Sequence, residues 1–460
     1  MNDSNSSASH GALRLAPLAA CLSLALMLGE GAAAAAPPGV TAMTRVVKNC
    51  DDPGDADSLR QVVAASQSGD TVDLGKLPTY CGMAADADVV ITLSGTQIST
   101  TVGDLTLEGP DAGHGSVTIS GGDASRVLYD SGIGELTVTS LTLADGHVEA
   151  DGEGGGCVWA KTVHLISSTV TGCTLEGAGT YGGGVAAGYV RLDESTVSDN
   201  TLNMTGGIFG GGGIAASTLI SKYSSISGNV VMGTGLAEGG GAFVSEATDI
   251  LASTVDNNHI SGGRGGGLAA WSSVNIRNST ISTNTADQDA LTLEGTNGLS
   301  ISNSTIAFNH ATLDDKPAGI SLGTVTTGVT SFQLDSSIVA MNTAGSMNTS
   351  SDLYSFHPIA DPELAGANNV IMQMDANVTA PPDFVASNMD PKLLPLAFNG
   401  GPTRTHVPMH DSPALGGGNP GVLTNDQRGP GYPRSTPSSA GATTDIGAFE
   451  YNWLFAGGFD

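Results

Sequence analysis

"ESTVSDNT", residues 194–201, is written again and again along this chain. Close copies read "SSTVTGCT" at 167, "YSSISGNV" at 223, "ASTVDNNH" at 252, "NSTISTNT" at 278 and "NSTIAFNH" at 303. Looser ones are "TSLTLADG" at 139 and "SSIVAMNT" at 336. The last apolar residue of each copy is Leu143, Val170, Val197, Ile226, Val255, Ile281, Ile306 or Val339, so the steps are 27, 27, 29, 29, 26, 25 and 33 residues. A period of this size means stacked units, none of which buries its apolar face alone. Five and seven residues before each anchor lie further positions, mostly apolar: Val163 and Leu165, Val190 and Leu192, Val274 and Ile276. That spacing of two is the spacing of strands and not of helices.

Three residues after the anchors stand Gly146 and Cys173, and then six asparagines in register: Asn200, Asn229, Asn258, Asn284, Asn309 and Asn342. Asparagine suits a corner because it tolerates the left-handed backbone and bonds locally. Stacked one strand apart, its amides can form a ladder. Upstream of most copies sits a glycine run, at 154–156, 182–184, 210–213, 239–241 and 265–267. A phosphate-cradling loop would need a following Lys-Ser or Lys-Thr and a helix, and neither is there. The runs read as one tight bend per unit. Three short strands and three bends in about 27 residues describe a right-handed parallel β-helix of about 8–10 rungs. Its strands would stack about 4.8 Å apart. The 65 glycines and the 5% aromatic content fit a narrow interior.

The ends differ from the middle. Residues 1–36 read as a signal peptide: Arg14, the apolar run "LAPLAACLSLALML", and a small-residue tract with A-x-A sites around Ala34–Ala36. "LAAC" at 18–21 is also similar to a lipoprotein processing site at Cys21. No later segment has the length and apolarity of a membrane span. Residues 37–122 read as an N-terminal cap and irregular first rungs. In it "DSLRQVVAASQ" (57–67) forms a short helix, capped by Asp57 or Ser58, with Leu59, Val62 and Val63 inward. The regular repeats span 123–344, and 345–451 is a Pro-, Asp- and Asn-rich C-terminal segment.

Four cysteines remain beyond the signal: Cys50, Cys81, Cys157 and Cys173. An even number in an exported chain points to disulfides. Pairing of sequence neighbours, Cys50 with Cys81 and Cys157 with Cys173, is the expectation among three connectivities. Formal net charge is −29 with only 16 basic residues. That excludes nucleic acid, which needs basic patches, and disfavours a polyanionic substrate without a bridging cation. It is compatible with loosely bound calcium as the one cofactor.

The C-terminal segment resembles the choice-of-anchor Q domain of bacterial exported proteins. Four pieces carry the resemblance in order: "DPKLLPLAFNGGPTRTH" (390–406), "DSPAL" (411–415), "DQRGPGYPR" (426–434) and "DIGAFE" (445–450). It departs at Gly416, where the family pattern has Asp. "DSLRQVV" is similar in part to the CSLREA-type start of related β-helix proteins, and the middle resembles the repeats of polymorphic outer-membrane proteins. The resemblance implies a right-handed β-helix carried to the cell surface or medium, with no assigned activity. The final "LFAGGFD" (454–460) is similar to short endings on exported proteins of Gram-negative bacteria.

Chemistry is sparse. The basic residues Arg126, Lys161, Arg191, Lys222, Arg264 and Arg277 are scattered about one per rung, which gives no lyase base beside a carboxylate cluster. "RGPGYPR" is similar to a lyase motif, but the choice-of-anchor match accounts for it. Paired carboxylates on adjacent rungs, as a hydrolase needs, are not evident in the sequence. His147, His164, His259 and His310 read as lying on different phases of the repeat, so no metal column is expected. Trp159 and Trp271 follow glycine runs in similar register and could stack on sugar rings. The expectation is an exported, non-enzymatic surface or extracellular protein that binds a polysaccharide or cell-surface matrix. A polysaccharide lyase or glycoside hydrolase, and a purely structural matrix protein, are the alternatives.

Overall fold

The computed structural model describes residues 41–451 apart from 208–209, 295–297, 315, 324–330, 357–362, 376–377, 435 and 439–440. The signal-peptide segment with Cys21 and the tail from 452, which holds Trp453, lie outside the described residues. The chain is an all-β parallel solenoid of about 11 turns with about 3% helix. One turn serves as the pattern. A long strand, Val185–Asp193, lies in the first sheet, Thr196–Ser198 in the second and Thr201–Met204 in the third. A glycine bend then leads to Ile214–Lys222, directly above Val185–Asp193.

The anchors of the sequence repeat pair in one unbroken column from Leu143 to Val339. The column runs further at both ends, through Ile119 and Ile91 and up to Ile371. The coil therefore passes the 344 boundary, with Leu353–Phe356 and Glu363–Ala365 pairing onto the strands before them. The positions five and seven residues before the anchors fill the same core, as Val163, Leu165, Val190 and Leu192 show by their complete burial. Alternation gives each strand one inward face, and only stacking removes that face from water.

Two corners of every turn are pinned by side-chain ladders. The asparagine ladder is continuous: each Nδ2 donates to the next Oδ1 at 2.8–3.0 Å from Asn200 to Asn342. Each Oδ1 also accepts a backbone N–H from the turn before, beginning with Cys173 N at 3.0 Å. The chain of aligned amides ends on the buried Asp352 carboxylate, which accepts both Nδ2 and N of Asn342. Being wholly buried, each amide would cost about 1–3 kcal/mol if left unpaired. The left-handed residue at this corner is not the asparagine but its predecessor: Asp199, Asn257, Thr283, Phe308 and Met341 have φ between 56° and 63°. Thr and Phe rarely adopt that region; here the bonded amide on one side and the paired strand on the other hold them in it.

The second ladder is of serine. Ser168, Ser195, Ser224, Ser253, Ser279, Ser304 and Ser337 each bond their hydroxyl to the carbonyl two residues back. From Ser195 onward each hydroxyl also accepts the serine N–H of the turn before. This serine is present in every close copy of the opening motif.

The glycine run and the asparagines are two sides of one contact. A Cβ at Gly184 would stand 2.8 Å from Asn200 Cγ, and Gly213, Gly241 and Gly267 meet Asn229, Asn258 and Asn284 in the same way. The disulfide Cys157–Cys173 occupies that same pair of places one turn earlier, so a covalent bond stands where Gly–Asn packing stands elsewhere. The second disulfide, Cys50–Cys81, ties the N-terminal cap. There the helix Leu59–Ala64 buries Leu59, Val62 and Val63, and Ser58 is its N-cap residue. Neither Asp57 nor Ser58 caps it through a side chain; the Ser58 carbonyl accepts Val62 N–H instead.

The segment from 390 to 451 turns back as a strap across the outside of the second sheet. Thr254 Oγ1 donates to Arg404 O at 2.7 Å, Thr280 Oγ1 to Gln427 Oε1 at 2.6 Å, and Arg404 pairs with Asp256 at 2.5 Å. Arg434, completely buried, donates to Asn278 Oδ1 and Asn303 O. Ala414 and Ile446 close an apolar seam with Ile338, Ala340 and Val370.

Candidate functional site along the glycine corner

The third corner carries the polar and aromatic side chains that the coil itself does not need. Gly155, Gly182, Gly211, Gly239 and Gly265 turn the chain there with φ between 68° and 84°. A Cβ at Gly155 would lie 1.9 Å from Val158 O, so no other residue can make this bend. The second position after the bend is one column: Tyr129 and Trp159, which are partly exposed, then Ala186, Ala215, Phe243 and Ala269, which are buried. Five steps of about 4.8 Å make it about 24 Å long.

At its N-terminal end Tyr129 and Trp159 stack, with centroids 4.8 Å apart and planes 14° from parallel. Arg126 reaches over Tyr129, 5.4 Å from its ring centre. Its guanidinium is spent on Gln97 Oε1, Glu153 Oε2 and the carbonyls of Gly154 and Gly155. Arg126 and Tyr129 line a shallow groove of about 490 Å³ together with Gln97, Ser125, His147 and Glu153, and Trp159 stands next to it on the far side of Tyr129. Ser125 is only 8% exposed, and its hydroxyl has no hydrogen-bond partner.

At the C-terminal end two glutamates close on one arginine. Arg264 donates to Glu238 Oε1 from Nε at 3.0 Å and Nη2 at 2.6 Å, and its Nη1 pairs with Glu294 Oε1. Trp271 Nε1 donates to Glu238 Oε2 at 2.7 Å, and its ring meets Phe243 edge-on at 5.2 Å. Asp289 lies beneath, bonded to Gly265 N and Thr292 Oγ1. Burial pushes Glu238 up to about 7, with Arg264 opposing and Glu294 adding to the rise. Burial likewise pushes Asp289 up to about 6, opposed by its bond from Thr292 and by Arg264. Burial works against the Arg264 charge, but Glu238 and Glu294 outweigh it and hold the guanidinium more firmly protonated.

The two tryptophans are not in one column. Trp159 aligns with Ala186, and Trp271 stands two residues beyond the corresponding Ala269, opposite Glu294. Both are partly exposed on the same outer face. The histidines need a correction too. His147, His259 and His310 share one column of the third sheet, because each follows its anchor by four residues; only His164 is out of phase. Threonines or Val230 separate them, and no group of three or more His, Cys, Asp or Glu suited to a metal occurs among the described residues. In "RGPGYPR" both arginines are buried structurally: Arg428 pairs with Asp426 and lies between the Tyr432 and Phe449 rings at 3.9 and 3.7 Å, and Arg434 anchors the strap.

Glu238, Glu294, Tyr129 and Ser125 do not stand out in the sequence. One signal is there: Glu238 and Arg264 each immediately precede a glycine run, which makes them neighbours on successive turns. No family model matches the chain, and no curated protein or solved structure is significantly similar to it. The likeness of its tail to the choice-of-anchor Q domain stays a resemblance in sequence.

Proposed function

We propose that this is an exported β-helix protein that binds a polysaccharide at the N-terminal end of its glycine corner. The observation that carries the reading is the stacked Tyr129–Trp159 pair beside a groove lined by Gln97, His147 and Glu153. Sugars offer ring C–H faces to aromatic planes and hydroxyls to such polar groups. The two disulfides fit an oxidising compartment, in keeping with the signal-like N-terminus. No described helix is long and apolar enough to cross a membrane. Attachment to a surface matrix is part of the same proposal. Hydrolysis fits less well, since Glu238 already accepts from both Arg264 and Trp271.

Co-sedimentation of the chain from residue 37 onward with insoluble glucans, chitin and plant wall polysaccharides tests the reading, with reducing ends measured in the same tubes. Retention that falls about ten-fold in Trp159→Ala is the expected result, equivalent to about 1.4 kcal/mol. Release of new reducing ends would replace a binding protein by an enzyme. Retention unaffected by Trp159→Ala would move the site elsewhere.

A further inference from the structure

The groove at the N-terminal end of the corner is built from two parts of the chain. Arg126, Tyr129 and Glu153 come from the regular coil, while Gly95, Thr96 and Gln97 come from the loop between Val89–Thr92 and Ile98–Thr100. That loop is exposed from Ser94 to Thr96, and a Cβ placed on Gly95 would meet nothing within 4 Å, so its tip stands clear of the coil. Its backbone is gripped by the N-terminal cap. Arg60, on the cap helix, donates from Nη2 to Thr96 O and from Nη1 to Gln97 O, both at 2.7 Å. The same guanidinium pairs with Asp52 through Nε and Nη2, also at 2.7 Å. Asp52 Oδ2 accepts Ser94 N at 2.9 Å and Ser94 Oγ at 3.2 Å. The Asp52 side chain is 2% exposed and lies two residues from Cys50, which the disulfide to Cys81 ties down. On the groove side, Gln97 Oε1 accepts Arg126 Nη1, and Arg126 Nη2 reaches Glu153.

We propose that the N-terminal cap is part of the ligand site, with Asp52 and Arg60 as positioning residues that fix the loop 94–97 as one wall of the groove. This rests on the polysaccharide-binding reading above and names what sets the shape of its site. Both residues act through the loop and not from the groove itself. An exposed loop that has to order when a ligand arrives loses part of the contact energy to fixing its own backbone. Here Ser94, Thr96 and Gln97 are bonded to the cap beforehand. Arginine suits the task because its planar fork reaches a carboxylate and two carbonyls at once, which a lysine cannot do. Closing the end of the coil is the work of Leu59, Val62 and Val63, which face the core. The bonds from Arg60 to the loop are additional to that.

The test compares cap variants of the chain from residue 37 onward by co-sedimentation over a range of concentrations of insoluble glucans, chitin and plant wall polysaccharides. Arg60→Ala is expected to weaken retention about five-fold, and Arg60→Lys to weaken it less. Arg45→Ala breaks a different ion pair of the cap, to the buried Asp70, and should leave retention within about two-fold of the parent. Hydrogen exchange at 94–97 should be faster in Arg60→Ala and unchanged in Arg45→Ala. Should Arg60→Ala melt below the assay temperature, Arg60→Lys carries the comparison. Equal weakening by Arg45→Ala and Arg60→Ala would overturn the proposal, because the cap would then act only through its general stability. Retention unchanged in Arg60→Ala but reduced in Trp159→Ala would overturn it as well and leave glycan binding standing. A parent chain retained by none of the polysaccharides would remove both readings together.

Discussion

The second sheet is one structure with two fates. In its early turns Thr169–Thr171 and Thr196–Ser198 keep their outward hydroxyls partly exposed. In its later turns Thr254–Asp256, Thr280–Ser282 and Thr305–Ala307 are buried on both faces, because the strap from 390 to 451 lies across them. The strand motif is the same in both regions, Ser-Thr followed by an apolar residue. The residues that break the motif mark where the strap lands: Asp256 receives Arg404, and Asn278 and Asn303 receive Arg434 and Asn419. The repeat thus encodes the coil, and its exceptions encode what is laid upon it.

Arg434 tests the covered region most severely. It is completely buried and bridges the strap to two turns. Arg434→Ala leaves Asn278 Oδ1 and Asn303 O without their buried donor, so a loss of about 3 kcal/mol is expected. Limited proteolysis should then cut between 388 and 451 before the coil opens. Simultaneous loss of strap and coil would mean that the two regions are one cooperative unit.

In the uncovered region the corresponding test is the Cys157–Cys173 bond. Removing it as Cys157→Ala with Cys173→Ala opens a loop of 16 residues and should cost about 3 kcal/mol. Cys157→Gly with Cys173→Asn restores the pair of residues used by the next four turns of the coil. That variant should melt above the double alanine, because the introduced amide can donate to Asn200 as Asn200 does to Asn229. Equal melting temperatures would show that the ladder needs the whole corner and not the pair.

A pH series sharpens the contrast without any substitution. Burial pushes Glu450 up to about 8, with Asp445 adding and Arg434 opposing, and burial pushes Asp256 up to about 6 against Arg404. Both groups take up protons on docking, so their contribution is complete below about pH 4 and is lost as pH rises through 6 and then 8. Strap proteolysis should accelerate from pH 5 to pH 8.5, and Glu450→Gln should flatten the curve at its upper end. Thr169–Thr171 and Thr196–Ser198, which the strap does not cover, provide the pH-insensitive reference. A rate that falls with pH would reverse the sign of this account.

How much of this can be read from residues alone follows the same division. Eight turns align because an apolar anchor and a corner residue recur together. The turns around Ile91, Ile119 and Ile371 escape or blur the pattern because Ser94, Gly122 and Met374 stand where asparagine would. The disulfide pairing is legible since Cys173 sits in the asparagine column. The Glu238–Arg264–Glu294 cluster is not, because it joins residues from both sides of a bend. Its contacts depend on how tightly the glycines turn the chain, which spacing does not state. The strap is recognisable as a segment, but its docking face depends on Arg404, Gln427 and Arg434 meeting side chains some 150 residues away.

The smallest effect compares two threonines that align in one column. Thr254 Oγ1 donates to Arg404 O and accepts from Gln427 Nε2, both in the buried seam. Thr169, three turns earlier, is partly exposed and has no strap above it. Thr254→Ala should therefore cost about 1 kcal/mol and loosen the strap, since it removes two hydrogen bonds of the buried seam while Gln427 Nε2 and Arg404 O keep each other as partners. Thr169→Ala should stay within about 0.5 kcal/mol of the parent, as a surface change that strands nothing. A double-mutant cycle with Gln427→Ala separates the two contributions: coupling with Thr254 and none with Thr169 assigns the difference to the strap. If both threonines cost the same, their value lies in the strand itself, and the covered and uncovered turns are energetically alike.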